Sequence, residues 1–262
     1  MKVWSEDCGS GLSIRWRWPE GWAFPVPSVT TILALPVPVG LLGWQRRCDI
    51  STIEKIGGTA ANKGITAHRI LQDVLLGVRT PRSEAEVWID AYRSKLGAEI
   101  VSVEAPVASP RWLIAGSIDV VAKVNGRLEF WDIKTGKYKW SAFPQLGAYA
   151  LAYLSGLPEF SYENLHDSIG LRILNTSIKE KKQSDFVCQG DHIASCMGAF
   201  LKMYDIWCWV YALEDTEDKP YTQGILKRGI RDASDPSKRY RWPLPEIYRD
   251  KYSEFMALCK KS

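Results

Sequence analysis

The dipeptide Asn125-Gly126 lies between two runs rich in β-branched and aromatic residues, Trp112–Val124 and Arg127–Lys134. Asn-Gly supplies the two left-handed positions of a type I′ turn, whose twist matches the strands it joins, and it is the strongest short-range hairpin signal. A two-residue loop sets the register. Val124 faces Arg127, and counting back along both strands brings Asp119 opposite Asp132 on one face, with Cβ atoms about 4.5–5.5 Å apart. Lys134, two residues further on, shares that face.

Two carboxylates held directly opposite one another repel. The usual reliefs are a shared proton, a nearby cation or a bound metal. Oxygen donors favour a hard ion such as Mg²⁺ or Mn²⁺. A lysine beside such an ion can stabilise charge developing on a phosphate or orient a water for attack. The pairing alone is also compatible with solvated strand ends, and a one-residue bulge would break the register.

Helices and further strands surround this hairpin. Residues 59–76 place Ile65, Ala67, Ile70, Leu71, Val74 and Leu75 at helical spacing, with Gly77 as a stop. Ser83 and Glu86 form a capping box for a helix to about Leu96, which Gly97 ends. Ile100–Val107 alternates as a strand, 142–155 reads as a helix before Gly156, and Ile169–Leu174 as another strand. Asp191 caps an amphipathic helix to about Leu213, and a last helix is expected near 246–258. Upstream, Leu12–Trp18 turns Ile14, Trp16 and Trp18 to one face and Ser13, Arg15 and Arg17 to the other. Ser28 can cap a short helix through Leu35, and Leu41–Arg47 can form a second. The order helix, three strands, helix, strand predicts an α/β or α+β core with embellished ends.

Composition narrows the class. With 46% hydrophobic and 24% charged residues the chain is neither disordered nor collagen-like. The uncharged run Gly21–Gln45 contains Pro25, Pro27, Pro36 and Pro38, which break a lone helix in lipid. Met1–Asp7 has no basic-then-apolar secretory pattern, so a cytoplasmic, non-secreted chain is expected. The six cysteines form no C-x-x-C pair and read as reduced thiols. The net charge of +4, with a pI near 8.6, falls below the value of about 9 that marks a basic nucleic-acid-binding domain.

The motifs Gly116-Ser-Ile-Asp119, Trp131-Asp132-Ile-Lys134-Thr-Gly136 and Gln145-x-x-x-Tyr149, in this order, resemble the PD-(D/E)XK nuclease superfamily. The closest group is its RecB-like domains and the related exonucleases of phages and mitochondrial genome maintenance. Those carry a histidine on the preceding helix, matched here by His68 in Gly64-Ile-Thr-Ala-His68. Pro27-Ser-Val-Thr-Thr-Ile-Leu33 resembles their lead-in, so the likeness spans roughly residues 27–175. It implies a restriction-endonuclease-like core, a central mixed sheet flanked by helices in the order αβββαβ. One nuclease domain would then fill residues 1–262, with its core at about 58–175, an N-terminal extension at 1–57 and a helical, basic-aromatic region at 189–262.

The resemblance further implies Mg²⁺ or Mn²⁺ held by Asp119, Asp132 and the Ile133 carbonyl, with Lys134 as the catalytic lysine and His68 as an additional ligand. Glu104 matches an acid of some members, although a rim carboxylate explains it equally well. Gln145 and Tyr149, four apart on one helix face, would border the active site and help position DNA or Lys134. The chain departs from many relatives four residues after the histidine, where Gln72 replaces an acid and Asp73 lies beside it. Cys188, Cys196 and Cys208 are too widely spaced for the tight cysteine group of relatives with an iron–sulfur cluster, so no cluster is expected.

Charge is uneven along the chain. From Lys219 to Ser262 there are eleven Lys/Arg against five Asp/Glu, interleaved with Tyr221, Tyr240, Trp242, Tyr248 and Tyr252. Basic residues can neutralise phosphates and aromatic rings can stack on bases. A solvated surface with inward-packing rings accounts for this tail at least as well. Lys123, Arg127, Lys137 and Lys139, with Tyr138 and Trp140, are expected nearer the substrate. The resulting expectation is a metal-dependent exonuclease acting on DNA with a free end, in phage or cellular recombination, repair or turnover, with a possible recombination or replication protein partner. The alternatives are a flap or branch endonuclease on the same site and a non-catalytic DNA-binding recombination partner, the latter disfavoured by the intact Asp119, Asp132 and Lys134.

Overall fold

The computed structural model describes residues 1–7, 13–34, 64–135, 142–158, 160–177, 182–212, 230–231, 239–240 and 251–259. An antiparallel ribbon of β1 (Lys2–Asp7) and β2 (Ser13–Trp18) carries a short third strand, β3 (Val26–Pro27), beside β2. The alternation predicted for β2 holds where it matters, since Ile14 and Trp16 are buried and Arg15 is exposed. Ser28 caps α1 (Val29–Leu33) by accepting from the Thr31 amide, and its backbone bridges in parallel to Ala115. That bridge stitches the ribbon to the main sheet. The helix expected at 41–47 lies outside the described residues.

Helix α2 covers residues 64–75, and α3 (Glu84–Lys95) follows. Ser83 caps as read, its Oγ accepting the Glu86 amide, while the Glu86 carboxylate reaches back to the Ser83 hydroxyl at 2.8 Å and to the Arg82 amide at 3.1 Å instead of the Ser83 amide. The main sheet runs in the order β4 (Glu99–Ser109), β5 (Ile114–Val124), β6 (Arg127–Lys134), β7 (Ile169–Ser177) and β8 (Lys182–Cys188). All neighbours are antiparallel except β6 and β7. A parallel pair needs a crossover, and α4 (Ala142–Leu154) lies on it, followed by the short α5 (Leu165–Ser168). The predicted hairpin register is observed from Val124↔Arg127 back to Val120↔Trp131, with Asn125 and Gly126 both at positive φ.

The sheet separates two apolar cores. Leu71, Val74 and Ile89 of α2 and α3 pack with Val120, Trp131, Ile133 and Leu174 on one side. On the other, Leu146 of α4 and Phe200 and Tyr204 of α6 (Asp191–Ala212) pack with Ile118, Phe130 and Ile173. A Cβ on Gly147 would lie 3.0 Å from the Met197 amide nitrogen, so α4 and α6 touch backbone to backbone. This is the mixed central sheet flanked by helices that defines a restriction-endonuclease-like core. The C-terminal helix α7 (Lys251–Cys259) closes one end, with Phe255 fully buried against the rings of Trp112 and Tyr162 and Glu254 paired to Arg111 at 2.7 Å. This part of the basic tail therefore packs inward. Among the described residues no helix is long and apolar enough to cross a membrane.

Strands β1 and β8 were not predicted. Lys182–Cys188 begins as a polar continuation of a charged run, and only seven paired positions along β7 draw it into the sheet. The β6–β7 seam carries a buried ion pair. Arg172 Nε donates to Glu129 Oε2 at 2.7 Å and Nη2 to Oε1 at 3.0 Å, while Gly170, facing Glu129 across the seam, leaves room for its side chain. Replacing one partner strands the other as an uncompensated buried charge. Glu129→Leu is therefore expected to lower unfolding stability by about 3–5 kcal/mol, read from urea denaturation; an unchanged midpoint would show the pair to be dispensable.

Candidate active site

The β5–β6 ladder stops at Val120↔Trp131, one pair short of the two acids. Asp119 and Asp132 are thus not a backbone-paired couple as the register predicted. The strands part here because the Asp119 side chain takes over: its Oδ2 accepts the Ile133 N–H at 2.8 Å. Strand β4 departs from regularity at the same level. Val103 pairs with Val120 and Ala105 with Ile118, while Glu104 between them adopts φ +48°. A left-handed non-glycine residue costs of order 1–3 kcal/mol and is characteristic of functional sites. Glu104 is held there by two donors, Gln72 Nε2 to Oε1 at 2.8 Å and Ser117 Oγ to Oε2 at 3.1 Å. Gln72, on the helix that carries His68, serves as a donor that orients an acid on β4.

His68 arrives from α2, with Nδ1 3.5 Å from Asp119 Oδ2. Lys134 Nζ lies 2.9 Å from both oxygens of Asp132 and donates to Oδ1. Asp132 Oδ2 is buried and accepts no hydrogen bond beyond its ion-pair contact with Lys134. From the opposite face α4 presents Gln145, whose Nε2 donates to the Tyr149 hydroxyl at 3.2 Å. The Tyr149 ring lies against the motif strand: a Cβ on Gly116 would collide with Tyr149 Cε1 and Cδ1. The glycine of the first motif and the tyrosine of the last are two halves of one contact.

Burial shapes the titration of this group. It raises the Asp119 carboxyl to about 8, with the charge of Asp132 adding to the rise and the Ile133 amide and Lys134 opposing it. Asp132 is raised chiefly by burial as well, against the pull of Lys134 and His68. The His68 imidazole is pushed down by burial, which favours the neutral form with a lone pair to offer. A pair of buried acids beside an imidazole held neutral by burial fits a hard divalent cation. Among the described residues, however, no three His, Cys, Asp or Glu side chains stand together as a ready cation cage. They form adjoining pairs: Asp119 with His68, Asp132 with Lys134, and Glu104 with Gln72.

Other predicted contacts separate. Lys137, Tyr138, Lys139 and Trp140 lie outside the described residues. Arg127 stands at the turn end of β6, five residues from Asp132, or roughly 17 Å along a strand, and pairs with Glu129 at 3.6 Å. It does not border the site, because a two-residue turn places its flanking residues at the end of the hairpin opposite the acids. Arg17, read from alternation as a residue of the outer face of β2, is instead half-buried and interacts electrostatically with Tyr149 and Glu104. No local signal distinguishes it from Arg15, since the Ser28–Ala115 bridge that brings it in is a long-range contact.

A mixed sheet that presents two acids and a lysine where its middle strands part has the architecture of a restriction-endonuclease-like enzyme. The family model of the PD-(D/E)XK nuclease superfamily matches residues 52–237, well over half of the chain, and the protein belongs to that superfamily. Membership implies a nuclease. No curated protein matches the sequence.

Two outcomes follow from the geometry. A carboxyl whose pKa rises on folding contributes stability that is lost as pH climbs from its unfolded value, near 3.8, through its folded value of about 8. With chelator present, Asp119→Asn should therefore raise the melting temperature most at pH 8 and above, and the gain should shrink steadily toward pH 5. Calorimetric scans across that range check it, and a gain that grows on acidification would contradict it. Gly116→Ala forces the Tyr149 ring or β5 to move, at a cost of about 1–3 kcal/mol, visible as a lower melting temperature together with reduced nuclease activity.

Proposed function

We propose that the protein is a Mg²⁺- or Mn²⁺-dependent DNA exonuclease, serving DNA recombination, repair or turnover, with its chemistry at the parted ends of β5 and β6. The observation that carries the reading is the pair of buried acids, with Asp132 ion-paired to the Lys134 ammonium and Asp119 3.5 Å from His68. Asp119, Asp132, the Ile133 carbonyl and His68 would hold the cation. Bound there, a divalent ion supplies Lewis-acid stabilisation of phosphate charge and lowers the pKa of a water.

The chain's own groups do the rest. Lys134, half-exposed and anchored on Asp132, can orient an attacking water or balance charge growing on the phosphate oxygens. The Ile133 N–H holds Asp119 in place. Gln145 orients the Tyr149 hydroxyl, and the ring, pinned on Gly116, forms a rigid wall on the α4 side. Gln72 and Ser117 fix Glu104 at the rim. The similarity of the ordered motifs to those of free-standing exonucleases supports an enzyme that starts from a DNA end.

End-labelled linear DNA and covalently closed circles, each with Mg²⁺ or Mn²⁺, test this. Linear DNA should be degraded and closed circles spared. Lys134→Ala should slow the reaction by about 10²–10³-fold, as for removal of one preorganised electrostatic group. Cleavage of closed circles at a similar rate would replace the exonuclease by an endonuclease on the same site. An unchanged rate in Lys134→Ala would remove the lysine from the mechanism, and DNA binding without any cleavage would make the protein a non-catalytic binder.

A further inference from the structure

We propose that Arg17 is a substrate-binding residue, whose guanidinium grips a backbone phosphate of the DNA strand next to the phosphate being cut. The inference rests on the nuclease reading and makes the N-terminal ribbon one wall of the substrate cleft.

Its placement follows from the backbone. Arg17 of β2 pairs with Val26 of β3, and two residues beyond Val26 the chain bridges from Ser28 to Ala115. Ala115 precedes Gly116, on which the Tyr149 ring lies. The ribbon is thereby held alongside the motif strand, at the level of the site. Trp16 points into the core, fully buried and edge-on to Trp207 with ring centroids 6.3 Å apart. Alternation turns Arg17 the other way, where its charge acts on Tyr149 and Glu104.

The guanidinium is not satisfied there. Arg17 Nε is buried without a hydrogen-bond partner, a costly condition for a charged group. Its neighbours are engaged elsewhere, since both Glu104 oxygens are held by Gln72 and Ser117 and the Tyr149 hydroxyl accepts from Gln145. An acceptor that arrives with the substrate would complete the arginine. It must also be anionic. A guanidinium keeps its charge throughout the working pH range, and an anionic oxygen is the acceptor that suits it best. The planar fork of arginine matches a phosphate with two parallel hydrogen bonds, which an ammonium cannot do.

Fluorescence anisotropy of fluorescein-labelled linear DNA, with chelator present so that nothing is cut, measures the contact at a series of salt concentrations. Arg17→Met should bind about 10-fold more weakly, and its slope of log K against log salt should be shallower by roughly 0.7–0.9, the loss of one phosphate contact. Arg17→Lys, which keeps the charge and loses the fork, should retain the wild-type slope but recover only part of the affinity. In the cleavage assay with metal, Arg17→Met should raise KM more than it lowers kcat. A counter-charge that only offsets the nearby acids would leave the salt slope unmoved. Wild-type affinity and slope in Arg17→Met, from a protein that cuts DNA when unmutated, would overturn the assignment and leave the nuclease reading intact. Conversely, a wild-type protein that fails to cut, with weakened binding in Arg17→Met, would sink the nuclease reading and uphold the phosphate contact. Should Arg17→Met not fold, Arg17→Lys decides, and affinity equal to wild type overturns the proposal.

Discussion

The hydrogen bond from the Ile133 amide to the Asp119 carboxylate sets the geometry of everything around it. A β-ladder continues as long as backbone donors find backbone acceptors. Here a side chain takes the donor, and the ladder ends at the Val120–Trp131 pair. The ends of β5 and β6 are free to diverge, and the acids beyond the last pair face a gap instead of each other's backbone. Glu104 makes the matching departure on β4 by entering the left-handed region. Helix α2 then brings His68 and Gln72 to one side of the gap, and α4 brings Gln145 and Tyr149 to the other.

Such a site is a destabilising element in an otherwise well-packed protein. Two buried acids hold their protons more tightly than free carboxyls do. The fold offsets this away from the site. Two apolar cores flank the sheet, and the Glu129–Arg172 pair ties β6 to β7 only a few residues from Asp132. Perturbed carboxyls concentrated in one cleft of a firmly packed scaffold are the pattern expected where charge is arranged for chemistry instead of stability.

Much of the site was readable from local chemistry. The Asn-Gly turn dictated the hairpin and its register as far as Val120 and Trp131, while the expected pairing of Asp119 with Asp132 gives way where the strands part. The capping box at Ser83 and Glu86 and the stop at Gly97 marked α3 within a residue. The partners of Glu104 were not readable, because Gln72 and Ser117 lie on different elements and meet only across the folded sheet. Strand β8 was hidden for the same reason, its sequence being too polar to announce a strand without β7 beside it.

The division between the two levels has a physical cause. Turn chemistry, caps and side-chain periodicity act over a few residues, and they determine by themselves that this chain makes a hairpin bearing two acids and a lysine between amphipathic helices. Contacts that depend on how layers stack are settled only in the tertiary structure. The first group is the parting of the strands under the Asp119 carboxylate, where side chain and backbone compete for one donor. The second is the fit of Tyr149 onto the bare backbone of Gly116, which needs α4 laid against the sheet. The third is Arg17, carried inward by a bridge between Ser28 and Ala115, residues 87 positions apart that no local rule connects.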